Sequence, residues 1–372
     1  MILGVPREIK NNEFRVGLTP ESVREISSRG HRVFIETGAG LGIGAGDGSY
    51  IAAGAEVVET AADVFSTAEM VIKVKEPQAA ERAMLREGQV LFTYLHLAAD
   101  AAQTCDLVAS GATCIAYETV TDANGGLPLL KPMSQVAGRM SIQAGAATLE
   151  KAAGGRGVLL GGVPGVAPGK VVVLGGGIVG FNAARMAVGL GAEVTIFDRS
   201  VDVLERLDNH FGSRVKTQMS QPNALRDHVA EADLVIGAVL VPGAAAPKLV
   251  TRDMLAEMKP GAVMVDVAID QGGCFDTSRA TTYADPTYVV DQIVHYCVAN
   301  MPGGVARTST YALNNVTLPL VISIADQGWK TALSGDHHLA SGLNIWNGRI
   351  THPAVAAEFE HPTEDLASAL AA

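Results

Sequence analysis

The fold turns on Val171-Val172-Val173-Leu174-Gly175-Gly176-Gly177-Ile178-Val179-Gly180. An apolar run of strand length meets G-x-G-x-x-G and passes directly into a second apolar stretch, Phe181 to Leu190, of helical length. Gly175 permits a tight turn. Gly177 lets a pyrophosphate approach the backbone, and Gly180 lets the helix pack on the strand. The free N–H groups at the helix start favour an anion there. The next strand, Glu193 to Phe197, is followed by Asp198, an acid placed to accept hydrogen bonds from a ribose diol. A 2′-phosphate would meet that carboxylate, so the spacing points to NAD as cofactor, although Arg199 follows immediately. Within the turn, Ile178 and Val179 are the expected cofactor contacts beside Gly175, Gly177 and Gly180.

Around this unit, strand candidates at Val215–Thr217, Leu234–Val239 and Ala262–Val267 alternate with helical stretches. That alternation predicts a parallel α/β sheet. The amino-terminal part repeats it, with strands expected at Ile2–Val5, Arg32–Glu36, Met70–Val74, Val90–Leu95 and Thr113–Tyr117. A helix start is expected at Thr19-Pro20-Glu21. A helix from Ser134 to Ala152 connects the two parts, and a Gly/Pro-dense loop from Gly154 to Gly169 follows it. After about Asn300 a Gly/Pro break gives way to a helix over Leu313–Gln327. The fold class read from this is α/β: two doubly wound, parallel-sheet, Rossmann-like domains joined by long helices, with the active site in the cleft between them. The expected division is 1–133 plus 307–372, a discontinuous substrate domain, and 134–306, the NAD-binding domain. The last dozen residues read as weakly ordered.

Composition narrows the classes. Lys and Arg number 28 against 39 Asp and Glu, so the formal charge is −11, which disfavours nucleic acid and anionic membranes as partners. No run approaches 18 apolar residues, and the opening residues lack a basic lead before an apolar stretch, so a cytoplasmic location is expected. Cys105, Cys114, Cys274 and Cys297 form no C-x-x-C pair, and no metal is expected.

Sites in α/β sheets lie at the carboxyl ends of strands. Arg15, in a polar stretch after the first strand, offers a fork to a carboxylate, and Lys75, after Val71-Ile72-Lys73-Val74, offers a point charge. His96, after Val90 to Leu95, exchanges protons near neutral pH. Position alone does not separate these roles from solvated or structural ones. Asp270, at the end of a cofactor-domain strand, adds a carboxylate, and Val239 and Leu240 supply small apolar lining.

Nearly the whole chain, from Met1 to about Trp329, resembles the alanine dehydrogenases. The resemblance is carried by Lys10-Asn-Asn-Glu-Phe-Arg15-Val, Lys73-Val-Lys75-Glu-Pro77, Phe92-Thr-Tyr-Leu-His96, Tyr117-Glu-Thr119 and Pro132-Met-Ser134-Gln-Val-Ala-Gly138. Further carriers are Gly161-Gly-Val-Pro-Gly165, Gly237 to Gly243, Asp266-Val-Ala-Ile-Asp270-Gln-Gly-Gly273 and Asn300-Met-Pro302. The resemblance implies NAD-dependent oxidative deamination of L-alanine to pyruvate and ammonium, and the reverse reductive amination. It implies Arg15 and Lys75 as binders of the substrate carboxylate and carbonyl, His96 as acid/base, and Asp270 as its partner. It implies Ser134, Asp198, Ser220, Val239, Leu240, Arg279, Asn300 and Met301 as further cofactor contacts, and a homohexamer. Where the family often has Gly-Ala-Gly, this chain has Gly175-Gly176-Gly177, which is expected to add flexibility. The soluble nucleotide-binding part of a proton-translocating transhydrogenase resembles the chain in the Gly-rich turn but not at His96 or Asp270. Saccharopine-type dehydrogenases need a roomier pocket than Tyr94, Leu130 and Met133 suggest. A non-catalytic NAD-sensing module would not need this set of acid/base and charged groups.

Overall fold

The computed structural model describes residues 1–239 and 246–371, which form two compact units, Met1–Met133 with Gly303–Ala372 and Ser134–Pro302. Among the described residues the strands in chain order are β1 (Ile2–Val5), β2 (Arg32–Glu36), β3 (Glu56–Val58), β4 (Met70–Ile72), β5 (Val90–Thr93), β6 (Thr113–Ala116), β7 (Lys170–Leu174), β8 (Glu193–Asp198), β9 (Val215–Met219), β10 (Leu234–Gly237), β11 (Val263–Asp266), β12 (Thr287–Val290), β13 (Ile293–Tyr296), β14 (Leu343–Trp346) and β15 (Arg349–Ile350).

The first unit holds an eight-stranded sheet in the order β15-β14-β6-β5-β4-β1-β2-β3. Strands β1 to β6 pair in parallel, while β14 runs antiparallel to β6 and β15 antiparallel to β14. Local chemistry sets the first crossover. Thr19 Oγ1 accepts the Ser22 N–H at 3.2 Å, Pro20 occupies the first turn of helix Pro20–Ser28, and Gly30 leaves that helix at φ +85°. Val71, Leu91, Cys114 and Ala116 pack with Phe65, Leu107, Ile345 and Val355 in one buried cluster.

The second unit holds a seven-stranded sheet, β12-β13-β11-β10-β7-β8-β9, parallel except for the edge strand β12. The two-residue period of β7 divides its side chains between two cores. Val171 and Val173 face Ala183, Ala184 and Ala187 of helix Ile178–Gly189. Val172 and Leu174 face Leu225, Val229, Met254 and Leu255. A strand buried on both faces reads as an unbroken apolar run, which is why β7 stood out in the sequence.

Several details depart from the sequence reading. Strands β3, β12, β13, β14 and β15 were not expected. The helix expected from Ser134 starts earlier, at Lys131, and ends at Thr148. The tail forms a helix, Leu366–Ala371, in which Ala369 is fully buried and Ser368 N–H meets Asp365 at 3.2 Å. Among the described residues no helix is long and apolar enough to cross a membrane.

Candidate active and dinucleotide sites

In each sheet the chain runs outward in one direction from a central strand, then resumes on that strand's other side. Such switch points leave a crevice at the strands' carboxyl ends. In the second unit the switch lies between β7 and β10, and a cavity of ≈ 460 Å³ opens there. Its lining includes Ser134, Gly175, Gly177, Ile178, Val179, Asp198, Ser220 and Val239. Gly175 is at φ +100°, and a Cβ there would lie 2.8 Å from the Ala238 carbonyl oxygen. A Cβ on Gly180 would sit 1.7 Å from the Gly175 oxygen, so no side chain fits between turn and helix. A Cβ on Gly177, by contrast, would meet nothing within 4 Å and faces open space. A Cβ on Gly176 would come within 2.6 Å of Val203 and 2.7 Å of Leu207, so this glycine also lies close against helix packing.

Asp198 accepts the N–H of Gly176 at 2.7 Å and of Ser200 at 2.9 Å, one on each oxygen. Each oxygen keeps a further lone pair for a ligand hydroxyl. An open cradle at Gly177, the amino end of helix Ile178–Gly189 and a carboxylate with spare acceptors fit a dinucleotide. Of the remaining expected contacts, Arg279, Asn300 and Met301 lie off this lining. Arg279 is exposed, its guanidinium 4.0 Å above the Tyr288 ring. Asn300 is at φ +56°, and Met301 is buried in the core, its carbonyl accepting from Tyr283 at 2.5 Å. Leu240 lies outside the described residues. A larger opening in this unit, ≈ 630 Å³, between Ala146 and Leu190 holds none of these residues.

Asp270 is exposed on the short helix Val267–Gln271 that follows β11. Asp266 ties this turn down from inside. Its carboxylate, fully buried, accepts the N–H of Ala268 at 3.0 Å and of Cys274 at 2.8 Å, and the Ser278 hydroxyl at 2.5 Å. Burial pushes Asp266 above the ordinary carboxylate range, and these donors oppose that.

In the first unit the switch lies between β1 and β4. Arg15 follows β1 and is 2% exposed, with Glu13 accepting from Nε at 2.7 Å and from the terminal nitrogen at 2.5 Å. Burial alone would lower its pKa, but Glu13 outweighs that and keeps the guanidinium charged. Its other nitrogen lies 3.1 Å from Met133 Sδ. Lys75 follows β4, its ammonium 4.0 Å from Glu76, which also pairs with Lys10. Burial would raise Glu76, but the two lysines hold it below its ordinary range.

His96 follows β5 in left-handed backbone, φ +53° and ψ +41°. Its side chain is 44% exposed and lies parallel to the Tyr94 ring at 5.9 Å. Glu118, just past β6, accepts the N–H of His96 at 2.5 Å and of Leu95 at 3.1 Å, and Gln103 donates to the Leu95 carbonyl at 2.6 Å. Arg15, Lys75 and His96 thus follow the carboxyl ends of β1, β4 and β5, three adjacent strands. The sequence reading missed Glu13, Glu118 and Asp266 as supports. A usable signal existed for Glu118, an acid directly after the strand neighbouring the one that carries His96.

The folds and the cavity define a dinucleotide-binding protein of two α/β units. The family described as "Alanine dehydrogenase/PNT, N-terminal domain" matches residues 4–137, and "Alanine dehydrogenase/PNT, C-terminal domain" matches 141–353; the chain belongs to this family. It is 62% identical to an alanine dehydrogenase of Halomonas elongata, over 96% of this chain and 97% of that one. A solved structure titled L-alanine dehydrogenase aligns with TM-score 0.95 and 57% identity, over 97% of this chain and 99% of that one. A transhydrogenase from Sinorhizobium meliloti aligns with TM-score 0.82 and 27% identity, over 95% and 100%.

Proposed function

We propose that this protein catalyses the NAD-dependent oxidative deamination of L-alanine to pyruvate and ammonium, and the reverse reductive amination. The observation that carries this reading is the row of side chains after β1, β4 and β5: a buried, charge-paired Arg15, a half-buried Lys75 and a half-exposed imidazole at His96. Two cations suit a small carboxylate beside a carbonyl, and the imidazole suits proton transfer. Full-length likeness to proteins named alanine dehydrogenase supplies the substrate.

In this reading residues 134–306 bind NAD, and residues 1–133 with 307–372 bind the amino acid. Bound NAD supplies the hydride acceptor for the substrate Cα–H. Gly175, Gly177, Ile178, Val179 and Gly180 cradle the pyrophosphate, and Asp198 takes the ribose hydroxyls. Ser134, Ser220, Val239, Leu240, Arg279, Asn300 and Met301 complete the cofactor's surroundings. Arg15 and Lys75 fix the substrate carboxylate and carbonyl. His96 takes a proton from the substrate amine or from the water that adds to the iminium carbon and returns a proton to the departing nitrogen, while the carbinol O–H proton passes to solvent as the carbonyl forms. Asp270 orients that water and stabilises the cationic intermediates. The assembly is a homohexamer.

The test is spectrophotometric. NADH should form with L-alanine and be consumed with pyruvate plus ammonium, with NADP(H) far poorer. NADH oxidation only with 2-oxoglutarate plus lysine, or hydride exchange between NADH and an NADP analogue without alanine turnover, would overturn the reading. Light scattering checks the hexamer.

A further inference from the structure

Lys73 is fully buried and none of the steps above uses it. It is the first residue past β4, and its ammonium donates to Glu8 Oε2 at 3.1 Å and Glu81 Oε1 at 2.7 Å. Glu8 follows β1, the neighbouring strand, and Glu81 lies in helix Ala79–Arg82; both carboxylates are buried. Burial would discharge Lys73, but the two carboxylates outweigh it and keep it charged.

A buried ion trio is a poor way to gain stability. Desolvation of three charges offsets much of their attraction, and well-packed apolar side chains often serve as well or better. The trio's remaining acceptor atoms are spent on backbone. Glu8 Oε1 accepts the N–H of Val74 at 2.6 Å and of Lys75 at 3.3 Å. Glu81 Oε2 accepts the N–H of Gln78 at 2.7 Å. From the other side the Thr93 hydroxyl donates to the Lys75 carbonyl at 3.0 Å. The segment from Lys73 to Gln78 is thereby gripped at both ends, with Lys75 between. Parallel strands end in irregular backbone, whose N–H groups need partners once buried. Here ionised side chains meet that need, and Lys73 neutralises one of the two negative charges they bring.

We propose that Glu8 is a positioning residue for the reaction: through the backbone N–H groups of Val74 and Lys75 it fixes the lysine that binds substrate, with Lys73 as its counter-charge and Glu81 sharing that ammonium. This rests on the reading of Lys75 as a substrate binder. Glu8 itself contacts no reacting atom.

The experiment compares Glu8→Ala with Glu8→Gln in the full-length protein. Both leave the Lys73–Glu81 pair intact; only Gln keeps an acceptor oxygen. In Glu8→Ala the KM for L-alanine and for pyruvate should rise at least ~10-fold, with the NADH Kd within ~2-fold of wild type. Glu8→Gln keeps one acceptor oxygen for the Val74 and Lys75 N–H groups but turns its amide nitrogen toward the Lys73 ammonium, so its KM should fall between those of wild type and Glu8→Ala. Introduced into Lys75→Ala, Glu8→Ala should add no further loss, because both act through one side chain. Hydrogen exchange of the 73–78 segment should speed up in Glu8→Ala, and less in Glu8→Gln. If Glu8→Ala does not fold, Thr93→Val, which removes the grip on the Lys75 carbonyl, should raise KM at least ~3-fold. An unchanged KM in a folded Glu8→Ala protein, or a loss of equal size in the Lys75→Ala background, would overturn the proposal. A wild-type protein inactive on alanine would sink the substrate reading instead; the exchange measurement would still report on the grip.

Discussion

The carboxylate of Glu118 meets the backbone N–H of His96 at 2.5 Å, and the residue so held is in left-handed conformation, φ +53°. A non-glycine residue there costs about 1–2 kcal/mol, so the imidazole is presented at the expense of local backbone comfort. Strain of this kind concentrates where side-chain direction matters.

His96→Gly and His96→Ala should therefore separate stability from turnover. Both should lower kcat at least ~10²-fold, the low end for loss of acid–base catalysis. Little burial is lost with a side chain 44% exposed, so backbone dominates the stability change. The glycine variant should be as stable as the alanine variant or more so, by up to about 1 kcal/mol after its larger unfolded-state entropy is counted. Urea unfolding measures the difference, and an alanine variant clearly more stable than the glycine one would show that the backbone is unstrained.

Asp198 governs the choice of dinucleotide. Asp198→Asn keeps an acceptor oxygen for the Gly176 or Ser200 N–H but removes the charge. Hydrogen bonds to a charged group contribute about 1.5–3 kcal/mol each. The ratio of kcat/KM for NADH over NADPH should fall at least ~10-fold. A ratio unmoved by the substitution would remove Asp198 from ribose recognition.

Acid sensitivity should trace in part to His295. It is fully buried on β13, with Nδ1 3.1 Å from the Ile293 carbonyl and Nε2 2.7 Å from the Thr277 hydroxyl. Burial pushes the imidazole below its ordinary value of 6.5, and the nearby Arg279 charge acts the same way. Below that pH the unfolded chain binds a proton that the folded one refuses, so stability falls as pH drops through about 6.5. One such group contributes a slope approaching ~1.4 kcal/mol per pH unit. His295→Gln should flatten the stability profile between about pH 7 and 5.5 by up to that amount. An identical slope in the variant would contradict the assignment.

How far the sequence reads depends on how local each signal is. The turn at Gly175 to Gly180 was legible because its requirements fall on adjacent residues: left-handed backbone at one glycine, no room for a Cβ at another. Strands β7 and β10 were legible as apolar runs buried on both faces. The hairpin of β12 and β13 was not. Val289 is exposed on the edge strand β12, and on β13 the buried His295 and Tyr296 break the apolar pattern. Strand β3, three residues with exposed Glu56, is too short to carry a period. Arg15, Lys75 and His96 stood out by following strands; Glu8, Glu13 and Glu118 also follow strands but were not singled out. A buried carboxylate looks like any surface acid until its partners, 67 residues away in the case of Glu8 and Lys75, are placed beside it.

The antiparallel pairing of β14 with β6 bears on how the protein is made. Thr113–Ala116 leaves the ribosome early, whereas its neighbour Leu343–Trp346 emerges more than two hundred residues later. At about 5–20 residues per second that interval is roughly 10–45 s, during which a β6 edge lined by Cys114 and Ile115 stays unsealed. The nascent chain is therefore most open to strand exchange and aggregation after its second sheet has been synthesised but before the last segment arrives to close the first.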